Sequence, residues 1–244
     1  MKKYLIYLLI LSSCISLSCK NNIIKKEYTP AFTKYSVDNT ISDDSAMESL
    51  IAPYRDDLKK RVGIVIGYSD TILTGARPEG ALGNFVCDVI KDYADRNAGG
   101  ADICLMNNGG LRRDIPLGEI TIGTIYELMP FDNELVICFM DDKIVREFAD
   151  ELIKVFGEPV AGIQVLSENN IIKVIKVAGK DLEDGKLYRI ATSDYLAYYG
   201  GDFPSLRKSK EIKRTGKFIR DILIEYFKDS GKVYSIIEGR IVIK

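Results

Sequence analysis

The chain has 244 residues, enough for one large domain or two small ones, and 46% hydrophobic with 28% charged residues is an ordinary globular composition. A formal net charge of −1 gives no basic field for a phosphate backbone, which argues against polymeric nucleic acid but leaves a mononucleotide open as a partner. Histidine is absent, which removes the commonest general base and the commonest metal ligand.

Residues 1–19 read as a targeting segment. Lys2 and Lys3 form a basic start, and Leu5 to Leu11 an apolar stretch too short for a hydrocarbon layer of roughly 30 Å. Leu11-Ser12-Ser13-Cys14 resembles a bacterial lipobox, so lipid attachment is expected at Cys14, with Cys19 before the polar Lys20-Asn21-Asn22 as the alternative. An exported, membrane-anchored lipoprotein follows from that reading, and a plain cleaved secretory signal is the competing one. Residues 20–43 are polar, contain Pro30 and read as a tether.

Residues 44–62 read as a linker helix. Met47, Leu50, Ile51, Tyr54, Leu58 and Val62 recur at helical spacing, which predicts an inward stripe, and Pro53 should kink or split it. The main domain, 63–244, opens with a short strand over Gly63–Gly67. A helix from Glu79 to about Arg96 buries Leu82, Phe85, Val86, Val89, Ile90 and Tyr93. Asp102–Met106 lacks alternation, as a strand covered on both faces would. Glu119–Ile122 reads as a strand, with Thr124 capping a helical turn through Leu128. Glu134–Met140 follows as a strand and Lys143–Val155 as a helix. Gly162–Leu166, Ile171–Val177 and Leu187–Thr192 read as strands, Lys217–Phe227 as a helix and Arg240–Ile243 as a closing strand. Irregular interspersion predicts an α+β fold of layered mixed β-sheets with packed helices. Cys87, Cys104 and Cys138 sit in apolar stretches without CxxC spacing and read as buried free thiols.

Three segments carry candidate chemistry. Asn107-Asn108-Gly109-Gly110-Leu111-Arg112 follows the buried strand: the glycines would permit positive φ and close approach of a ligand. The Asn107 amide can donate and accept, and Arg112 offers a planar fork to phosphate or ribose oxygens. Met129-Pro130-Phe131-Asp132-Asn133 and Ser193–Asp202 place Phe131 and Tyr195 in loops, where aromatics serve as stacking surfaces, and Gly200-Gly201-Asp202 adds a carboxylate on a turn. Each segment has a plainer reading as a tight turn or a cover for a sheet edge.

Taken in order, these segments resemble the C-terminal domain of the 5′-nucleotidase / UDP-sugar hydrolase family. Glu79-Gly80-Ala81-Leu82-Gly83-Asn84 is similar to the family's Glu-x-x-Leu-Gly-Asn segment, and Ile66-Gly67-Tyr68 and Glu238-Gly239-Arg240-Ile241 to its first and closing strands. The resemblance implies that Phe131 and Tyr195 sandwich a nucleoside. It further implies that Asn107 and Arg112 bind base and ribose or phosphate, and that Asp202 binds ribose hydroxyls. Arg77 is nearest to a further family arginine.

The family's chemistry resides in an N-terminal metallophosphoesterase domain whose two metals are held by Asp-x-His and Asn-His-Asp/Glu motifs, absent here. No catalytic residue, metal site or cofactor is therefore expected in these residues. Asp141-Asp142, Asp181 and Asp184 read as solvated turn carboxylates. The expected role is the nucleotide-recognition part of a split 5′-nucleotidase in nucleotide catabolism, with the two divalent metals on a separate metallophosphoesterase chain. The alternatives are a surface binding or adhesion lipoprotein without nucleotide and a self-sufficient phosphatase.

Overall fold

The structure, a computed structural model, describes residue 38 and residues 40–244. The signal segment, Cys14 and Cys19 lie outside the described residues. The chain divides into two compact units, Met1–Glu48 and Ser49–Lys244. In the first, the Asp44 carboxylate accepts from the Ala46 and Met47 N–H groups at 2.9 and 3.0 Å and starts a helix, α1 (Ser45–Val62).

Neither a split at Pro53 nor a fully inward stripe is found in α1. It runs as one element through Pro53, and none of its residues is buried, with Leu50, Tyr54 and Leu58 well exposed. Helical spacing of apolar residues predicts burial only where another element covers the stripe; here Ile51 and Val62 are half-buried and Leu50, Tyr54 and Leu58 face solvent.

The second unit contains three sheets. β1 (Val65–Ser69) pairs antiparallel with β3 (Gly118–Thr121). The central sheet has the order β10-β4-β9-β2-β5, formed by Glu211–Phe218, Glu134–Asp141, Leu187–Ser193, Ile103–Leu105 and Val160–Ala161. The third has the order β11-β6-β7-β8, from Ile241–Ile243, Ile163–Glu168, Ile171–Val177 and Lys180–Asp181.

Alternate residues of the central sheet enter two separate cores. Leu135 and Ile137 of β4 and Cys104 of β2 pack with α2 (Ala81–Asn97) and α6 (Ile219–Ser230). Val136, Cys138 and Met140, with Ile103 and Leu105, pack with α4 (Asp142–Lys154). A sheet buried on both faces has no polar alternation, which is why β2 was readable as a plain apolar run. The fold is accordingly α+β, with mixed sheets and helices packed on them. Cys87, Cys104 and Cys138 are buried and free.

Other local readings shift. The cap of α3 (Ile122–Leu128) is Thr121: its hydroxyl accepts from Thr124 N–H at 3.1 Å, and the Thr124 hydroxyl accepts from Thr121 N–H at 3.2 Å. Thr124 is thus the reciprocal partner in a capping box. β10 was hidden because Lys217–Phe227 was read as helix only and the preceding Glu-Ile-Lys-Arg-Thr-Gly carries too little apolar signal. In the structure the strand continues to Phe218, and α6 ends at Gly231, whose φ of 62° is left-handed.

Candidate nucleotide-binding site

Sheet register assembles the candidate residues. β4 and β9 are antiparallel with Leu135 opposite Ser193, and β2 runs parallel to β9 with Cys104 opposite Ala191. The start of β4 and the ends of β2 and β9 therefore share one edge of the sheet. Phe131, just before β4, Asn107, just after β2, and Tyr195, just after β9, converge there. Together with Arg112, Asn133 and the glycine pair they line a cleft of ≈ 380 Å³. Phe131 and Tyr195 are each 48% exposed, so each ring is half open to whatever enters.

Tyr195 is not in a loop, as the sequence suggested, but in the first turn of a short helix, α5 (Asp194–Tyr198). The Ser193 hydroxyl accepts from Leu196 N–H at 3.1 Å, and one oxygen of Asp194 accepts from Glu134 N–H at 3.1 Å and Tyr195 N–H at 2.8 Å. Asp194 thus ties the start of β4 to the start of α5, fixing the bases of both aromatic walls.

The glycines act otherwise than expected. Neither Gly109 nor Gly110 has positive φ. Their bareness makes room for Asn107: a Cβ on Gly110 would lie 3.0 Å from Asn107 Oδ1, and one on Gly109 3.3 Å from Nδ2. The carboxamide folds over this single 3-10 turn, and among the described residues it has no hydrogen-bond partner. Its donor and acceptor remain available to a ligand.

Arg112 lies where this cleft meets a second one of ≈ 540 Å³, lined also by Gly75, Arg77, Asn108, Arg113 and Asp114. Arg77 pairs with Glu158 and Arg113 with Glu127, whereas Arg112 donates only to the Gly109 carbonyl at 3.2 Å. Among the described residues, the Arg112 charge has no carboxylate partner.

Arg77 is bound inward, donating to the Val155 and Gly157 carbonyls and to Glu158, and it lines the second cleft rather than the first. Asp202 is exposed on the turn after α5 and lines neither cleft. Sequence reading gave no role to Asn133 or to Glu158. Glu158 is buried and also accepts from Asn108 N–H and Nδ2 at 2.6 and 2.9 Å, locking the turn that carries Asn107. Its signal was present: a lone carboxylate in the buried run Gly157-Glu158-Pro159-Val160 needs donors.

Residues 65–148 match the family model described as the 5′-nucleotidase, C-terminal domain. The folded body has the fold of a 5′-nucleotidase C-terminal domain. The chain is 26% identical to a 5′-nucleotidase precursor from Thermus thermophilus, with a TM-score of 0.71 over 81% of this chain and 43% of that one. Haemophilus influenzae NAD nucleotidase shares the fold, at 19% identity and a TM-score of 0.59 over 87% of this chain and 43% of that one. Protein UshA of Yersinia enterocolitica is 24% identical over 87% of this chain and 39% of its own length. The chain thus spans about two fifths or less of the curated relatives it matches.

The described residues of this domain do not fit a metal centre: among them no group of three or more Asp, Glu, Cys or His could hold an ion. Asp142, expected to be solvated, is buried and accepts from Gly185 N–H at 2.9 Å; Asp141 caps α4 and pairs with Lys210. These carboxylates are already engaged in holding turns and a helix start.

Glu134 anchors the site edge of the domain. The Arg214 guanidinium hydrogen-bonds to its buried carboxylate, with Nε at 2.7 Å, and holds its pKa below the usual carboxylate range; burial opposes this, and Gly216 N–H at 2.6 Å reinforces it. A depressed folded pKa contributes stability that is present above the unfolded value of about 4.3 and lost as pH falls through the folded value. The urea midpoint of the parent should therefore fall more steeply below about pH 4.3 than that of Glu134→Gln. Parallel pH profiles for the two proteins would refute this role.

Proposed function

We propose that this chain supplies nucleotide or nucleoside recognition for a 5′-nucleotidase reaction in nucleotide catabolism, the two divalent metals being held by a separate metallophosphoesterase chain. The observation that carries the reading is the cleft, which two half-exposed rings beside the ends of neighbouring strands line together with a carboxamide that has no partner among the described residues. A base would stack between Phe131 and Tyr195 while the Asn107 amide meets its polar edge. Arg112 would take ribose or phosphate oxygens at the junction of the two clefts, with Arg77 behind it. Asp202 would reach ribose hydroxyls only from its exposed turn, outside the lining of both clefts.

Lipid attachment at Cys14 or Cys19 would hold the domain at a bacterial membrane as an exported lipoprotein. None of the described helices is long and apolar enough to cross a membrane.

Calorimetry with adenosine, AMP and UDP-glucose tests the proposal. Binding of at least one in the micromolar-to-millimolar range is the expected result. Silence for all three would favour a surface binding module that does not use nucleotide. Hydrolysis of AMP by the pure chain, abolished by EDTA, would instead point to a self-sufficient phosphatase.

A further inference from the structure

The segment Met129–Asn133, which carries Phe131, lies between α3 and β4 and has no strand partner of its own. It is held instead by the first two residues of α6. Ile219 N–H donates to the Asn133 carbonyl at 2.9 Å. Arg220, only 8% exposed, donates through Nη1 to the Met129 and Phe131 carbonyls, both at 3.4 Å, and through Nη2 to the Asp132 carboxylate. Its guanidinium carbon also sits 4.2 Å from the centroid of the Tyr126 ring in α3.

Packing alone does not call for an arginine at this position. A cation in the first turn faces the positive end of the helix dipole. Its Nε is buried without a partner, an uncompensated desolvation that an apolar residue would avoid. What an apolar residue could not do is grip two peptide carbonyls, those of Met129 and Phe131, and the Asp132 carboxylate with one planar fork.

We infer that Arg220 is a positioning residue for the cleft, holding the Met129–Asn133 segment so that the Phe131 ring stands opposite Tyr195. This rests on the reading of the cleft as a stacking site, and Arg220 itself touches no ligand. A loop fixed before binding loses less freedom on binding, so the clamp pre-organises one wall of the site.

The chain contains no tryptophan, so Phe131→Trp places a single indole on the clamped loop. Arg220→Met in that background removes the donors at similar volume and should raise acrylamide quenching about threefold by freeing the loop locally. The same Arg220→Met change should leave the indole of a Tyr195→Trp protein unaffected, because α5 is held by Ser193 and Asp194 instead. Asp132→Asn, at an exposed position, should shift the indole at position 131 in the same direction by less, and it decides the matter if Arg220→Met does not fold. Unchanged quenching at position 131, or an equal rise at both positions, would overturn the clamp. No nucleotide enters this measurement, so failure of nucleoside binding and failure of the clamp are read separately.

Discussion

Replacing Phe131 and Tyr195 together by alanine should remove nearly all nucleoside binding while leaving the fold intact. Stacking is worth roughly 1–3 kcal/mol per ring. Loss of both rings thus corresponds to a decrease of about thirtyfold at the low end and about twenty-thousandfold at the high end. A parent affinity of about 1 μM would weaken to about 30 μM or beyond, and one near millimolar would drop beyond calorimetric detection. Each single variant should lose about five- to 150-fold. Both rings are half exposed at the sheet edge, so thermal stability should change little. Parent-like binding in the double variant would remove the stacking account, whatever the single variants show.

The second large effect concerns stability. Arg240, just before β11, is buried and donates to the Val160 carbonyl at 2.8 Å, to Asp88 at 2.7 Å and to Glu238 at 2.6 and 2.8 Å. The Glu79 carboxylate accepts from the N–H groups of Glu238 and Arg240 at 2.9 and 2.8 Å and from Asn84 Nδ2 at 2.6 Å. Asn84 also donates to the Ile236 carbonyl at 2.8 Å. The motif that opens α2 is therefore the socket for the closing segment. Arg240→Ala should cost about 3 kcal/mol, at the low end for a broken buried pair because Asp88 and Glu238 can turn to water. With a urea slope of about 1–3 kcal/mol per molar, the midpoint should fall by about 1 M or more. A shift under about 0.3 M would mean that the socket holds without its arginine.

Both results bear on what the sequence revealed. The buried face of α2 was readable because Leu82, Phe85, Val86, Val89 and Ile90 recur at helical spacing and do face a core. The same rule misjudged α1, since spacing records which side is apolar and not whether anything covers it. Asn107, Arg112, Phe131 and Tyr195 could be singled out by residue type and turn context, and the structure lines one cleft with them. Arg77 and Asp202 were expected beside them, yet one is turned inward to carbonyls and the other stands on a turn outside both clefts. Arg220 was invisible as a site element, and Glu158 showed only as a lone carboxylate in need of donors, because their partners lie 50 or more residues away in the chain. Long-range hydrogen bonds leave no periodic trace.

The pairing of β4 with β9 has a consequence for what the cleft can tell apart. Neighbouring strands lie about 4.8 Å apart, whereas a flat ring between two others needs about 3.5–4.0 Å on each side. The walls that leave these strands must splay beyond the sheet edge to admit a slab one atom thick, and what they then gauge is thickness rather than outline. Under the stacking reading, any planar heterocycle passes that gauge edge-first and a puckered sugar ring does not. Discrimination among bases falls to the amide edges of Asn107 and Asn133, the carboxamides that line the cleft with the two rings.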